Sequence, residues 1–373
     1  MEYRKVPSEI EIAEWLNQGQ LGLAPLRLIS TKFQPLYDGK EWNFEVEAEW
    51  GDQKASFAVE YKALSTPKAF EQALWKCRSF AATSGVLPML MLPFLRPTQL
   101  DELEQAGISG IDFCGNGVVI VPGKIRVFRT GNRNQFATYA PIKNIYRKNT
   151  SMVARLLLIR SRFSSVQEIL DETNLRDLLA RKTGKTQMSL GTVSKALKEM
   201  ENELIVDRSK GIRVLQPDKL LDQLEKNCKP EKDTPRLRLK VDCEFPLLSQ
   251  YLSRATIGKD FLLVATGLSS ASRYATMQRE EILSLYCPDL KSVQNAIGGK
   301  ETDRFPNVEL IQTNEQPQYF DARPDTETQP VAGFYWASPV QTFLELMQGD
   351  KRDRETADQV RDYLLRSQGE NNE

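Results

Sequence analysis

Ser189-Leu-Gly-Thr-Val-Ser-Lys-Ala-Leu-Lys-Glu-Met200 is the stretch that decides how this chain is read. Leu190, Val193, Leu197 and Met200 fall on one stripe at helical spacing, and Ser189 stands where a helix N-cap is wanted. The spacing predicts a helix that buries this stripe. Ser189, Thr192, Ser194, Lys195 and Lys198 lie off it, and Gly191 lets the backbone approach a phosphate closely. Short hydroxyls and ammonium groups on the outer side suit entry into a DNA major groove, and the helix N-terminus is itself a phosphate site.

Working outward, Ser151 to Arg160 reads as an apolar-rich helix, and a second helical pattern runs from Ser165 through Leu179. A polar stretch, Arg181 to Gln187, leads into Ser189. Downstream, Ile205-Val206-Asp207 and Ile212-Arg213-Val214-Leu215 flank Arg208-Ser-Lys-Gly211 as two short strands and a turn. Three helices followed by a β-hairpin is the winged helix-turn-helix order, expected over residues 145–226. Arg208, Lys210 and Arg213 on the wing suit the minor groove or flanking phosphates, and Arg181, Lys182 and Lys185 extend the same basic surface.

The 373 residues carry 50 basic and 50 acidic side chains, but they are unevenly placed. Residues 1–120 hold 11 basic and 16 acidic, residues 121–220 hold 20 and 9, and residues 241–373 hold 13 and 21. A cationic middle between acidic flanks is expected when one module meets a polyanion. The fold alone would equally serve protein contact, so the charge favours double-stranded DNA. There is no histidine, which excludes Ser-His-Asp and Cys-His catalysis, His-ligated zinc and an imidazole shuttle. The five cysteines are widely spaced without a C-x-x-C, so neither a disulfide framework nor a thiolate zinc site is expected. The longest apolar run, Val86 to Leu95, is interrupted by Pro88 and Pro93 and is too short to span a bilayer. No membrane partner and a reducing, cytoplasmic compartment are expected.

Residues 1–140 alternate helical and strand patterns and predict an α/β domain on a mixed sheet. Phe44, Val46 and Ala48 alternate with Glu45, Glu47 and Glu49, and a Gly51-Asp52 turn leads to a second strand over Lys54 to Lys62. Glu60 and Lys62 share one face of that strand. With Glu47 or Glu49 from its neighbour they would mimic a nuclease centre, Glu47 and Glu60 holding magnesium and Lys62 orienting water. No Pro-Asp precedes the pattern and E-x-K occurs on any exposed strand, so a solvated face is the preferred reading. No cofactor is then needed, and Mg2+ enters only with the nuclease alternative. Asp112, beside Gly115-Asn116-Gly117, is read as capping a turn, and Cys114 as packing.

Residues 229–240 are charged and contain prolines, as a linker would. Residues 241–373 predict a third, α/β domain, with a strand over Phe261 to Ala265, a helix from Ser270, and amphipathic helices over Pro339 to Gln348 and Arg354 to Leu365.

Leu87-Pro88 through Pro93, Leu100 to Gly110, Ile111-Asp112, Gly115-Asn116 and Arg129-Thr130-Gly131 resemble a motif series in bacterial proteins. In those proteins a restriction-endonuclease-like domain precedes a winged helix. Ser189 to Leu197 is similar to their recognition helix, and Ala337 to Gln341 with Arg352 to Ala357 resembles their C-terminal segment. Such proteins are grouped with the AbiEi-like antitoxins and transcriptional regulators of type IV toxin–antitoxin systems. The resemblance implies a winged helix that binds the operon's own promoter. It also implies a C-terminal domain that counteracts a nucleotidyltransferase-like toxin.

Overall fold

In the computed structural model, residues 4–370 are described except 20, 22, 25, 38, 81–84, 137–143, 229–233, 256–261, 277–281 and 325–333. The chain divides into two compact units, Met1–Ile142 and Lys143–Glu373. It is mixed α/β throughout.

The first unit runs α1 (Glu9–Asn17), β1 (Arg27–Phe33), β2 (Leu36–Tyr37), β3 (Lys40–Glu41), β4 (Phe44–Trp50), β5 (Gln53–Tyr61) and α2 (Pro67–Arg78). It continues with β6 (Val86–Leu92), α3 (Pro97–Ala106), β7 (Ser109–Asp112), β8 (Gly117–Val121) and β9 (Ile125–Arg129). Seven strands form one sheet in the order β1-β4-β5-β6-β7-β8-β9, parallel through β5-β6-β7 and antiparallel elsewhere; β2 and β3 make a separate hairpin. Strand period two divides the core. Phe44, Val46, Phe57 and Val59 pack with Ile12 and Leu16 of α1, while Ala58 and Leu90 pack with Phe70 and Leu74 of α2 and Leu100 and Leu103 of α3.

The glutamate row of β4 shares the α2 side of the sheet and is not simply solvated. Glu45 is buried, its carboxylate taking the Lys32 ammonium at 2.8 Å and the Tyr37 hydroxyl. Burial works against the charge, but these donors win and hold its carboxyl below the usual range. Asp112 caps its turn as expected: it accepts the backbone N–H groups of Cys114 and Asn116 at 2.8 Å and of Leu95 at 3.0 Å. Cys114 is buried.

The second unit opens with α4 (Ser151–Ile159), β10 (Arg162–Phe163), α5 (Val166–Arg176), α6 (Leu178–Thr183), α7 (Leu190–Asn202), β11 (Val206–Asp207), β12 (Ile212–Val214) and α8 (Pro217–Asn227). Strands β10-β12-β11 form a three-stranded sheet. Gly211 closes its turn at φ +85°, where a Cβ would meet the Phe163 carbonyl at 3.1 Å. The expected single helix through Leu179 is in fact broken at Asp177. This buried residue caps α6 through the Ala180 N–H at 3.0 Å, and Gln316 donates to its other oxygen at 2.5 Å.

Next come β13 (Arg236–Lys240), α9 (Phe245–Ala255), β14 (Leu263–Ala265), α10 (Leu268–Ala271), β15 (Leu283–Cys287), α11 (Leu290–Ile297), β16 (Lys300–Glu301) and β17 (Val308–Gln312). They are followed by α12 (Gln316–Tyr319), β18 (Arg323–Pro324), β19 (Phe334–Trp336), α13 (Pro339–Leu346) and α14 (Lys351–Glu370). Their sheet has the order β16-β13-β17-β15-β14-β19-β18. One expectation changes here. Arg236–Lys240, read as linker, is strand β13: Leu239 is buried between Arg238 and Lys240, and the guanidinium groups of Arg236 and Arg238 both pair with Glu309 at 3.1 Å. Of the rest of that linker, 229–235, residues 229–233 lie outside the described residues, as does the Phe261 start of the expected strand.

Residues 145–226 and 241–373, separate domains in the sequence reading, share their packing. Leu156, Leu197, Leu221, Phe343 and Val360 belong to one buried cluster. Leu178 and Leu179 of α6 pack with Val264, Tyr286 and Tyr319 of the C-terminal sheet region. Arg155 of α4 is only 5% exposed and donates to Gln341 Oε1 at 2.8 Å. Gln341 in turn donates to Glu345, which also accepts the Tyr286 hydroxyl at 2.6 Å. Burial works against the Arg155 charge and lowers its pKa, and its Nε has no hydrogen-bond partner among the described residues.

Candidate nucleic-acid interface

Helix α7 forms where expected. Ser189 is its N-cap, accepting the Thr192 N–H at 3.3 Å, and the two hydroxyls are 3.0 Å apart. The Ser189 hydroxyl therefore serves the helix start first. Val193, Ala196, Leu197 and Met200 are buried; Leu190, expected on the same stripe, is 46% exposed because the first turn projects past the core. Gly191, Lys195 and Lys198 are exposed and Thr192 and Ser194 half-buried. Among the described residues neither lysine is in an ion pair.

The hairpin after α7 carries the other expected residues. Lys210 and Arg213 are exposed; Arg208 is half-buried with its guanidinium 3.8 Å from Glu201. Asp207 braces the turn by accepting the Ser209 N–H at 3.0 Å, and this bond leads the effects that lower its pKa. Arg213 lies 3.7 Å from Asp207 and pairs in register with Arg162 across β10 and β12. Arg162 was missed in the sequence, because a two-residue strand is too short to show a period.

Arg160, Arg162, Lys210 and Arg213 line a groove of about 800 Å3 with the hydroxyls of Ser164 and Ser209. Two acids sit in its wall, Glu168 and Asp207. Glu168 accepts the Ser164 hydroxyl at 2.6 Å and its N–H at 2.7 Å, and pairs with Arg160 at 2.5 Å. Those Ser164 bonds, ahead of Arg160, lower its pKa to about 2. The Arg160 guanidinium lies 4.5 Å from the Phe163 ring centre, a cation–π contact that fixes its direction. Of the basic residues before α7, Arg181 and Lys182 are exposed, but Lys185 turns away and donates to the Asn314 carbonyl at 2.5 Å.

In the first unit the expected acid pair does not converge. Glu47 is opposite Ser56 on β5, four residues along the strand from Glu60, and its carboxylate takes the Lys54 ammonium at 2.8 Å. Lys54 also holds Glu49, at 2.5 Å. Glu60 is 4% exposed, with Lys62 on one oxygen at 2.8 Å and Lys76 on the other. The cross-strand position opposite Glu60 is taken by Asn43, which donates to Glu9 at 2.8 Å and accepts the Tyr61 N–H at 2.8 Å. A magnesium ion would have to displace an ammonium from the one buried carboxylate, so these residues do not fit it. Lys76, two residues from the end of α2, carried no sequence signal for this role.

Comparison with models of protein families, with curated proteins and with solved structures finds no match. No described helix is long and apolar enough to cross a membrane.

Proposed function

We propose that residues 145–226 form a winged helix-turn-helix and that the protein is a sequence-specific DNA-binding transcriptional regulator. The observation that carries this reading is the outer face of α7. Lys195 and Lys198 are exposed there, one turn apart and without ion pairs among the described residues, over a helix whose other face is sealed in the core. The arginine-lined groove beside the hairpin supports it, since clustered guanidinium groups suit backbone phosphates. In this reading α7 reads the major groove of double-stranded DNA, and the hairpin and groove hold phosphates. Affinity then falls steeply with salt through counterion release.

The biological setting we propose is an AbiEi-like antitoxin that represses its own operon. The C-terminal part would engage a nucleotidyltransferase-like toxin, and the restriction-endonuclease-like first unit would be non-catalytic. The deciding experiment is a gel shift on the protein's own upstream region with wild type and Lys195→Ala. The expected result is a clear loss of affinity at an unchanged melting temperature; equal affinity would overturn the reading. Plasmid incubated with magnesium, beside Glu60→Ala, tests the nuclease alternative, and no Glu60-dependent cleavage is expected.

A further inference from the structure

The first unit holds a second concave site that the regulator reading does not use. A cleft of about 720 Å3 lies along α2, lined by Lys40, Glu60, Lys62, Glu71, Trp75 and Lys76. Trp75 is 68% exposed. An indole left largely in water is unusual for so large an apolar ring, and here it stands at the wall of a cleft.

Charge in the cleft is lopsided. Glu60 is the one buried carboxylate and is shared by Lys62 and Lys76. The Lys76 ammonium also donates to the Glu41 carbonyl at 2.6 Å and lies 4.8 Å from the Trp42 ring centre. Lys40 lies 5.8 Å from the Trp75 ring centre and donates to the Ser79 hydroxyl at 3.2 Å; among the described residues it has no carboxylate partner. Against three ammonium groups there are Glu60 and the exposed Glu71. Another cation would meet these ammonium groups, whereas an anion would find several donors. An exposed aromatic face beside ammonium groups combines the two contacts used for unpaired nucleotides: stacking on the base and charge pairing with its phosphate.

We infer that this cleft binds an unpaired nucleotide, its base stacked on Trp75 and its phosphate held by Lys40, Lys62 and Lys76. Bases in a duplex already stack on their neighbours, so the ligand is a single strand or a free nucleotide. This site is independent of the winged-helix reading.

The test is fluorescence anisotropy of a labelled ten-residue oligothymidylate with the full chain at low salt. The wild type should bind. Trp75→Ala should weaken binding about tenfold or more, and Trp75→Phe should keep most of it. Lys40→Ala should weaken binding and flatten its salt dependence. Because Trp75 is exposed, circular dichroism should show these variants folded. Lys195→Ala should leave oligothymidylate binding unchanged whether or not it affects duplex DNA, which separates the two readings. Competition by thymidine monophosphate at comparable concentrations would identify a free nucleotide as sufficient; competition by longer strands alone would identify a polynucleotide. Absence of binding by both, equal binding by Trp75→Ala, or loss of binding in Lys195→Ala would overturn the inference.

Discussion

Arg162 and Arg213 pair in register across two antiparallel strands, which sets two guanidinium groups side by side on one exposed sheet face. Like charges directly opposite destabilise a strand pair, and Asp207 lies in register with Arg213 but not beside Arg162. An anion lying across the pair would relieve the repulsion. Arg162→Thr should therefore leave stability unchanged or raise it by up to about 0.5 kcal/mol. The same variant should weaken operator and unrelated duplex by a similar factor and reduce the salt slope by about one. Titrations at several salt concentrations, beside thermal melts, check both halves; an unchanged slope would remove Arg162 from the interface.

Ser189 offers a way to separate the helix start from the surface it presents. Ser189→Ala removes the side-chain cap on Thr192 and should cost about 1 kcal/mol. Ser189→Asp keeps a capping oxygen and suits the helix N-terminus, so stability should be retained. It also adds negative charge where phosphates are proposed to lie, and duplex binding should drop. Denaturant melts and gel shifts on the two variants should thus disagree in opposite directions.

Phe343 lies in the cluster that contains Leu156 and Leu197. Phe343→Ala should cost about 3–5 kcal/mol through lost burial and the cavity left behind. Because the cluster is shared, amide exchange protection should fall in α4 and α7 together with α13. Protection of α4 and α7 that survives the substitution would show that the helices are stable without the C-terminal part.

Glu168 sets an acid limb on stability. Its pKa is lowered from 4.5 to about 2, chiefly by the Ser164 hydroxyl and N–H. A carboxyl that is more acidic in the folded state contributes stability fully above the unfolded value and loses it as pH falls toward the folded one. The window is therefore roughly pH 4.5 down to 2. Glu168→Gln should flatten the fall in unfolding free energy across that window, measured by urea melts at stepped pH. Above pH 5 the variant should remain less stable than the wild type.

Local signals were legible and distant ones were not. Ser189, Val193, Leu197 and Met200 lie within one short stretch, so cap and stripe could be read directly. The alternation of β4 and the apolar β6 were equally plain. Asp177 ends α5 because it caps α6 and meets Gln316, 139 residues away, which no window around it contains. Charged Arg236–Lys240 looked like linker because its partner Glu309 lies 73 residues from Arg236 and 71 from Arg238, also outside any local window. At Glu60 the sequence showed the E-x-K spacing but not the Lys76 ammonium that α2 brings to its second oxygen. Strand and helix spacing could place charges on faces; only tertiary packing decided which of them meet.

The Arg155–Gln341 hydrogen bond joins residues 186 positions apart. During synthesis α4 leaves the ribosome long before its partners in α13 and α14 exist. At about 5–20 residues per second, the newborn helices wait on the order of 10–40 s with their apolar flank uncovered. A stop codon or protease cut ahead of α13 would leave that flank permanently open. Its product would be prone to clump instead of serving as a shorter working fragment.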